Sequence, residues 1–492
     1  MINICYVDVD VNRNVAAFTF PNIDSNMIKH ILTVKSWTFT TWNNNSEMIN
    51  YVQAKKDQNG FTVVETKYGI GFVPIFIKHL NGLGFILLNS DKTQFDLYQY
   101  CKEVNFPILK YQLRDYQYSC SLKWDRDKLG VIKSPTGSGK TVMGCYIIKS
   151  SGFKTLILVH TIDLINVWKE SLLRAFGNNF NNRIGIFGSG KSVEKALDVY
   201  NNVIIGTYQS AKQEKNLNAL KQAGFGLIIN DECHHVPADT FKGVLNALMI
   251  PYKLGLSATP RRLDGREGDI FALVDSVKAS VSIHELVKNK YVVKPEFYNI
   301  YWNDNNIIQK VANSNKNGLQ KSLMLKKMSS TSHIKINLLI KLFKTFEKNN
   351  ETFLLFADFV DASIAIESII QKFVTKYNEN FIVTRVSQDM KSDERSAVFK
   401  QVGKKYQGII FAKLGSEGID ISAVDNVIIM SPSKSPTTFA QRTGRAMRIA
   451  PGKNKCKIFQ FVLNNSNEKN WSEFSFDEYR NEGFVQKNCI LR

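Results

Sequence analysis

Residues 134–141 read Ser-Pro-Thr-Gly-Ser-Gly-Lys-Thr. Gly137 and Gly139 let successive backbone N–H groups turn inward onto phosphate oxygens, with Pro135, Thr136 and Ser138 completing the loop. The apolar pair Val131-Ile132 precedes it, and Val142, Met143, Ile147 and Ile148 follow at helical spacing. The pattern is therefore strand, loop, helix, and the helix N-terminus adds a favourable dipole for an anion. Lys140 would reach the β and γ phosphates, and the Thr141 hydroxyl would ligate magnesium. Ser134 stands where the simplest form of this loop has glycine, and it is small enough to permit the turn.

Two further segments carry chemistry. Residues 227–235, Leu-Ile-Ile-Asn-Asp-Glu-Cys-His-His, are an apolar strand delivering two carboxylates to a sheet edge. Asp231 would hold the magnesium, directly or through water, and Glu232 would orient and deprotonate an attacking water. Three adjacent residues cannot readily converge on one tetrahedral ion, so Cys233, His234 and His235 are not read as a zinc site. His234 is read as a relay of nucleotide state to neighbouring loops. Residues 441–448 are Gln-Arg-Thr-Gly-Arg-Ala-Met-Arg. Arg445 and Arg448 are three apart, hence on one face of a helix. They can reach across a cleft as arginine fingers on a γ-phosphate, a role worth roughly 10³–10⁵ in rate. Cleft closure would then require the triphosphate, and hydrolysis would release it.

The elements that must position these residues follow from hydrophobic patterning. Val131-Ile132, Thr155 to Val159, Val203 to Ile205 and Leu227 to Ile229 are continuous apolar runs, as in parallel strands buried on both faces. A second set comprises 352–356, 382–386, 408–411, 427–430 and 457–461. Two α/β lobes result, 108–285 and 333–492. Residues 286–332 read as a connector or mobile insert, because 300–332 is rich in Asn and Lys and weakly patterned. Residues 1–107 form a small α+β module: Ile2, Ile4 and Tyr6 alternate with polar or small neighbours, then Val7, Val9 and Val11 do so. Phe61 to Thr66 and Phe85 to Leu88 read as strands, and Pro74 suits the first turn of a helix.

Composition fits a globular chain, with 44% hydrophobic and 22% charged residues among 492. The net charge of +20 is less ordinary and implies a polyanionic partner. Residues 1–107 hold nine basic and nine acidic side chains, 108–280 hold 23 against 15, and 281–492 hold 32 against 20. The surplus thus lies wholly after the first module. Seven scattered cysteines without a C-x-x-C pair suit free thiols in a reducing compartment. The first residues carry no signal-peptide pattern, and the apolar stretch Gly69 to Leu88 is broken by Lys78, His79 and glycines. A cytoplasmic location is expected.

In their order, these segments resemble those of superfamily-two helicases of the Rad25/XPB-like branch, over roughly residues 108–460. The resemblance implies two RecA-like lobes, ATP and Mg²⁺ as cofactors, and DNA as partner. It adds roles to residues that spacing alone leaves unread. Leu113-Arg114-Asp115-Tyr116-Gln117 is similar to an adenine-reading segment, with Arg114 and Gln117 at the nucleotide. His160-Thr161 and Thr207-Tyr208-Gln209 resemble segments that grip nucleic-acid phosphates, with Thr161, Thr207 and Gln209 the candidate contacts. Ser257-Ala258-Thr259 resembles the motif linking the ATP site to the DNA track, and its extension Pro260-Arg261-Arg262-Leu263-Asp264-Gly265 is typical of the branch. Leu414 to Asp420 resembles a second-lobe nucleotide motif containing Gly418 and Asp420, and Gln441 opens the arginine motif. Met447 stands where many members have glycine, and Arg266-Glu267-Gly268 matches the branch's Arg-Glu-Asp element too loosely to carry it over.

Residues 1–107 resemble, more weakly, the N-terminal module of UvsW-type phage branch-migration helicases. The family implies a 3′-to-5′ motor acting on forks, D-loops or four-way junctions in replication, recombination or repair. Three rivals use related parts: an RNA helicase, the motor of a restriction complex, and a nucleic-acid-binding protein with an inactive ATP site. Lys140, Asp231, Glu232, Arg445 and Arg448 are all intact, which speaks against the last.

Overall fold

A computed structural model describes residues 3–489 apart from 11–13, 22, 24–26, 28–30, 32–38, 41–45, 48–51, 59–60, 67–71, 84, 100, 189, 237, 261–266, 376–380, 388, 413–420, 422–423, 451–452 and 454. The chain divides into two compact units, 1–134 with 139–280, and 281–492 with 135–138.

In the first unit, β1 (Asn3–Asp10), β2 (Val15–Phe20), β3 (Val52–Lys56), β4 (Thr62–Thr66) and β5 (Phe85–Leu88) form a mixed sheet in the order β3-β4-β2-β1-β5. Cys5 and Val7 face inward, so β1 is one uninterrupted strand, and Tyr6 lies on its other face. Helix α1 (Val73–Gly82) carries Pro74 in its first turn, where the missing N–H costs nothing, and it covers the sheet with Phe76 edge-on to Phe18.

This module is continuous with the first lobe, since one apolar cluster runs from its sheet into the next. Lys78 of α1 bridges Asp127 and Asp275, both at 3.1 Å, and Lys278 pairs with the same two carboxylates. Residues 102–104 exchange backbone hydrogen bonds with Gly152, Lys154 and Gly224, so the expected boundary at 107 is a pinned strap. Tyr98 stacks on Phe153 across the same junction.

The first lobe comprises α2 (Asp115–Asp127), β6 (Leu129–Lys133), α3 (Lys140–Ser151), β7 (Thr155–Val159), α4 (Ile162–Phe176), β8 (Ile184–Phe187), β9 (Val203–Thr207), β10 (Leu227–Asp231), α5 (Asp239–Ala247), β11 (Tyr252–Ser257) and β12 (Val277–Ser280). The sheet is all parallel in the order β8-β9-β7-β10-β11-β6-β12. Its central strands are fully buried apolar runs, as a sheet covered on both faces requires.

The second unit has β13 (Lys294–Trp302), α6 (Asn305–Ala312), α7 (Gly318–Ser330), α8 (His333–Lys348), β14 (Phe353–Ala357), β15 (Val383–Ser387), β16 (Gly408–Ala412), β17 (Asn426–Ile429), α9 (Pro436–Gly444), β18 (Lys455–Leu463), α10 (Glu468–Asn481) and β19 (Gln486–Asn488). Its parallel sheet runs β15-β16-β14-β17-β18-β13-β19. The expectation of a connector over 286–332 is corrected here. β13 pairs with β18 along nine residues inside the sheet, and α6 and α7 are capped helices. The polar residues that obscured them do local work: Asp304 and Asn317 accept N–H bonds at the two helix starts.

Candidate functional site

In the first lobe, strand register brings the chemistry to one edge. Leu158 pairs with Asn230 and Gly206, Asp231 with Leu256, and Ser257 with Lys133. Because every strand is parallel, the residues ending β6, β7, β9, β10 and β11 emerge together at the C-terminal edge, where α/β sheets bind ligands. The phosphate loop leaves from β6. The Ser134 N–H donates to the carbonyl of Ser257, tying the loop's origin to β11. Gly137 and Gly139 have φ of +86° and +83°, a conformation that side chains resist. A Cβ on Gly139 would also lie 2.4 Å from the Gln117 amide nitrogen.

Lys140 opens α3, and its Nζ lies 3.1 Å from Glu232 Oε1. Phosphates arriving in the loop would compete for that ammonium and free the carboxylate. Asp231 accepts the indole N–H of Trp168 at 2.8 Å and the Glu232 backbone N–H at 3.0 Å. Burial, and then the neighbouring charge of Glu232, push its carboxyl up to about 6, against the pull of Lys140. A divalent cation would reverse that shift. The donor set fits magnesium rather than zinc: a carboxylate and the Thr141 hydroxyl are hard oxygens. Among the described residues no group of three or more His, Cys, Asp or Glu is placed to hold a metal.

Glu232 sits at φ +48°, ψ +54°, a left-handed conformation costing a non-glycine residue roughly 1–2 kcal/mol. The single 3₁₀ turn it starts, Cys233–His235, carries His234 inward, where Nδ1 lies 3.2 Å from the Ser257 hydroxyl. That hydroxyl accepts the Thr259 N–H at 3.2 Å. Asp231, Glu232, His234, Ser257 and Thr259 therefore form one continuous polar cluster.

The other segments are placed less simply. Gln117 does not extend into open space: its Oε1 accepts the backbone N–H of Arg114 at 3.0 Å, and its amide nitrogen lies 3.3 Å from the Tyr116 hydroxyl. Thr161 begins α4, and its hydroxyl is buried without a hydrogen-bond partner among the described residues. Thr207 uses its hydroxyl to cap the short helix 208–211, accepting the Ser210 N–H, while Gln209 is exposed.

In the second unit, Ser435 caps α9 by accepting the Thr438 N–H, and Thr443 and Tyr479 share a 2.6 Å hydroxyl hydrogen bond that ties α9 to α10. Gln441 and Arg445 are buried. The expected helical pairing of Arg445 with Arg448 is corrected: α9 ends at Gly444, Arg445 is its cap, and Arg448 lies beyond in a turn, donating to the Ile421 carbonyl. The chain changes course because Ala446 N–H bonds back to Thr443 in a tighter turn. Gly418 and Asp420, with the rest of 414–420, lie outside the described residues, as do 261–265 and Arg266.

Two residues that the sequence reading passed over hold notable places. Trp168, in the apolar face of α4, orients Asp231, and no spacing signal separates it from an ordinary core tryptophan. Arg442 lies over the Phe356 ring and 3.6 Å from Asp358, which follows β14. Its place within Gln-Arg-Thr-Gly-Arg was the available signal.

Comparison with known proteins agrees with this geometry. Residues 110–262 match the family described as type III restriction enzyme, res subunit, and 334–450 match the helicase conserved C-terminal domain. The chain is 28% identical to a protein of Sulfurisphaera tokodaii named DNA 3′-5′ translocase XPB2, over 70% of this chain and 80% of that one. It is 25% identical to putative helicase 22 of Sulfolobus islandicus filamentous virus, over 89% and 76%. A putative DNA 3′-5′ helicase Rad25 of Halobacterium salinarum is 27% identical over 69% of this chain, which spans about half of that protein, 53%.

Proposed function

The chain is a superfamily-two helicase of the Rad25/XPB-like branch, an ATP-dependent DNA helicase, and from this premise we propose that it is a 3′-to-5′ motor that remodels branched DNA. The observation that carries the reading is the buried polar cluster from Lys140 through Glu232 and His234 to Ser257 and Thr259, at one edge of a parallel sheet. Mg²⁺, when bound, offsets phosphate charge and polarises the bond to be broken. Thr141 and Asp231 would hold it, and Trp168 keeps Asp231 in its orientation. Lys140 binds the β and γ phosphates, and Glu232 takes the proton of the attacking water. Arg445 and Arg448 supply positive charge to the γ-phosphate.

DNA is held chiefly through its phosphates, which gives little sequence preference and strong salt dependence. Thr161, whose hydroxyl has no partner among the described residues, and Gln209, which is exposed, are the contacts favoured in the first lobe. The 3′-to-5′ direction is carried over from the relatives' names. Forks, D-loops and four-way junctions are the proposed substrates, in replication, recombination or repair.

The test is ATP turnover by wild type and Glu232→Gln with no nucleic acid, single-stranded DNA, a four-way junction, or RNA. Stimulation greatest on the junction and lost in the variant supports the reading. Stimulation by RNA alone moves the protein to the RNA helicases, and no turnover with any of them leaves a binding role. Lys140→Ala should lower turnover by at least roughly 10²-fold while DNA binding persists; unchanged turnover would remove the assignment of the site.

A further inference from the structure

Three histidine rings form a stack in the first lobe. His235 lies with its ring centroid 4.2 Å from that of His234 and 4.5 Å from that of His160, tilted by 37° and 33°. On one side, His234 reaches Glu232 Oε2 at 3.4 Å and Ser257 at 3.2 Å. On the other, His160 directly succeeds β7 and adjoins Thr161. A second route leaves the same acidic pair. Asn230, next to Asp231, accepts the Tyr208 hydroxyl at 2.6 Å, and Tyr208 adjoins Thr207 and Gln209. Phe241 of α5 closes the circuit: it stacks on Tyr208 at 4.0 Å and 10°, and meets His235 edge-on at 5.9 Å. His235 therefore touches the His234 ring of the carboxylate turn, the segment 160–161 and, through Phe241, the segment 207–209.

The turn that carries His235 starts from Glu232 in its left-handed conformation. Rotation there would move the general base and the His235 ring together, and packed rings shift between discrete arrangements rather than deforming smoothly. We infer that His235 is a positioning residue that couples nucleic-acid engagement at Thr161 and Gln209 to the placement of Glu232. The inference rests on the DNA-motor reading above. The ring stack, not the ring nitrogens, is the coupling element, so an aromatic replacement preserves it.

The experiment compares ATP turnover with and without saturating single-stranded DNA, and DNA affinity by fluorescence anisotropy of a labelled oligonucleotide. His235→Leu keeps volume and removes the flat ring, whereas His235→Phe keeps the ring and removes the nitrogens. His235→Leu should leave basal turnover and DNA affinity within about twofold and lower the stimulation factor about fivefold or more, the usual size of a site-to-site coupling. His235→Phe should retain stimulation. Combining His235→Leu with His160→Leu should cost no more than the larger single loss, since both remove one contact.

Basal and stimulated turnover falling in parallel would overturn the inference, as would losses that multiply in the double variant, or a loss accounted for by weaker DNA binding alone. Should His235→Leu fail to fold, His160→Leu reads the same contact from the opposite ring. Wild type stimulated by DNA, with His235→Leu stimulated equally, removes this inference and leaves the motor reading standing. Wild type unstimulated by any nucleic acid removes both.

Discussion

Counted from the first strand of each, the sheets of both lobes run 3-4-2-5-6-1-7, yet their edges carry opposite chemistry. In the first lobe, strand one leads through the phosphate loop directly into α3, and strand five ends in Asp231-Glu232. In the second, strand one leads into α6, α7 and α8, and strand five is followed by Met430 and Ser431, whose hydroxyl faces buried Lys335. One edge gathers carboxylates beside a lysine; the other gathers cations around an acidic minority. Lys335 and Glu468 are fully buried, and Lys326 and Arg442 both approach Asp358. Strand order is thus common scaffold, and function resides in what the edges present. The proposed mechanism divides the work accordingly, with binding and activation at the first lobe's edge and charge from the second.

The comparison breaks most visibly at Arg445. Arg445→Ala should reduce DNA-stimulated ATP turnover by roughly 10³–10⁵-fold. If the second lobe contributes charge to the reaction rather than nucleotide binding, fluorescent ATP-analogue binding should persist in that variant. Loss of nucleotide binding with turnover would show that the division of labour is drawn wrongly.

A second test concerns the fold of the second lobe alone. Burial lowers the Lys335 pKa and raises that of Glu468, while each partner opposes the other's shift. Removing one charge leaves its partner buried with less compensation. Lys335→Ala should therefore destabilise this lobe by about 3–5 kcal/mol in denaturant unfolding. Lys335→Met combined with Glu468→Gln should recover much of that loss. A single variant within roughly 1 kcal/mol of wild type, the range of an exposed pair, would mean that water reaches the cluster.

How far each lobe was legible depends on the same polar interiors. The central strands of both sheets stand out because they are continuous apolar runs. β11, Tyr-Lys-Leu-Gly-Leu-Ser, carries fully buried Lys253, which broke the run and hid the strand leading into Ser257. β13, Lys-Pro-Glu-Phe-Tyr-Asn-Ile-Tyr-Trp, hides buried Asn299, satisfied by Ser472 and Gln486 from distant parts of the chain. No local pattern reports partners 173 and 187 residues away. The helices in 305–330 did leave a local trace, the reciprocal cap of Asn317 with Gln320, which weighs more than overall Asn and Lys content. The nucleotide motifs were legible because phosphate binding fixes residue type and spacing together. Trp168 was not, because its role depends on register between α4 and β10.

That residue gives a smaller, sharper test of the acidic edge. Gly144 in α3 makes room for the Trp168 ring, since a Cβ there would lie 2.5 Å from it. Trp168→Phe preserves most of this packing and deletes only the N–H donated to Asp231. If that bond orients a magnesium ligand, the variant should need roughly 10–100-fold more Mg²⁺ for half-maximal turnover, with unchanged folding. An unaltered Mg²⁺ dependence would reduce Trp168 to a core residue.

The smallest effect is expected where the N-terminal module meets the first lobe. Lys78 and Lys278 share Asp127 and Asp275, a network that looks like a clasp, but the Lys78 side chain is 39% exposed and Asp127 37%. Exposed pairs gain little over hydration, and Lys278 still pairs with both acids when Lys78 is removed. The apolar cluster from Phe76 and Leu80 toward Ile270 and Val274 is the larger attachment. Lys78→Ala should therefore cost under about 1 kcal/mol of stability. Leu80→Ala, which opens a buried void, should cost about 2–5 kcal/mol. Reversal of that order in denaturant unfolding would mean that charge rather than packing holds the module, and that its contrast with the basic lobes extends to how it is attached.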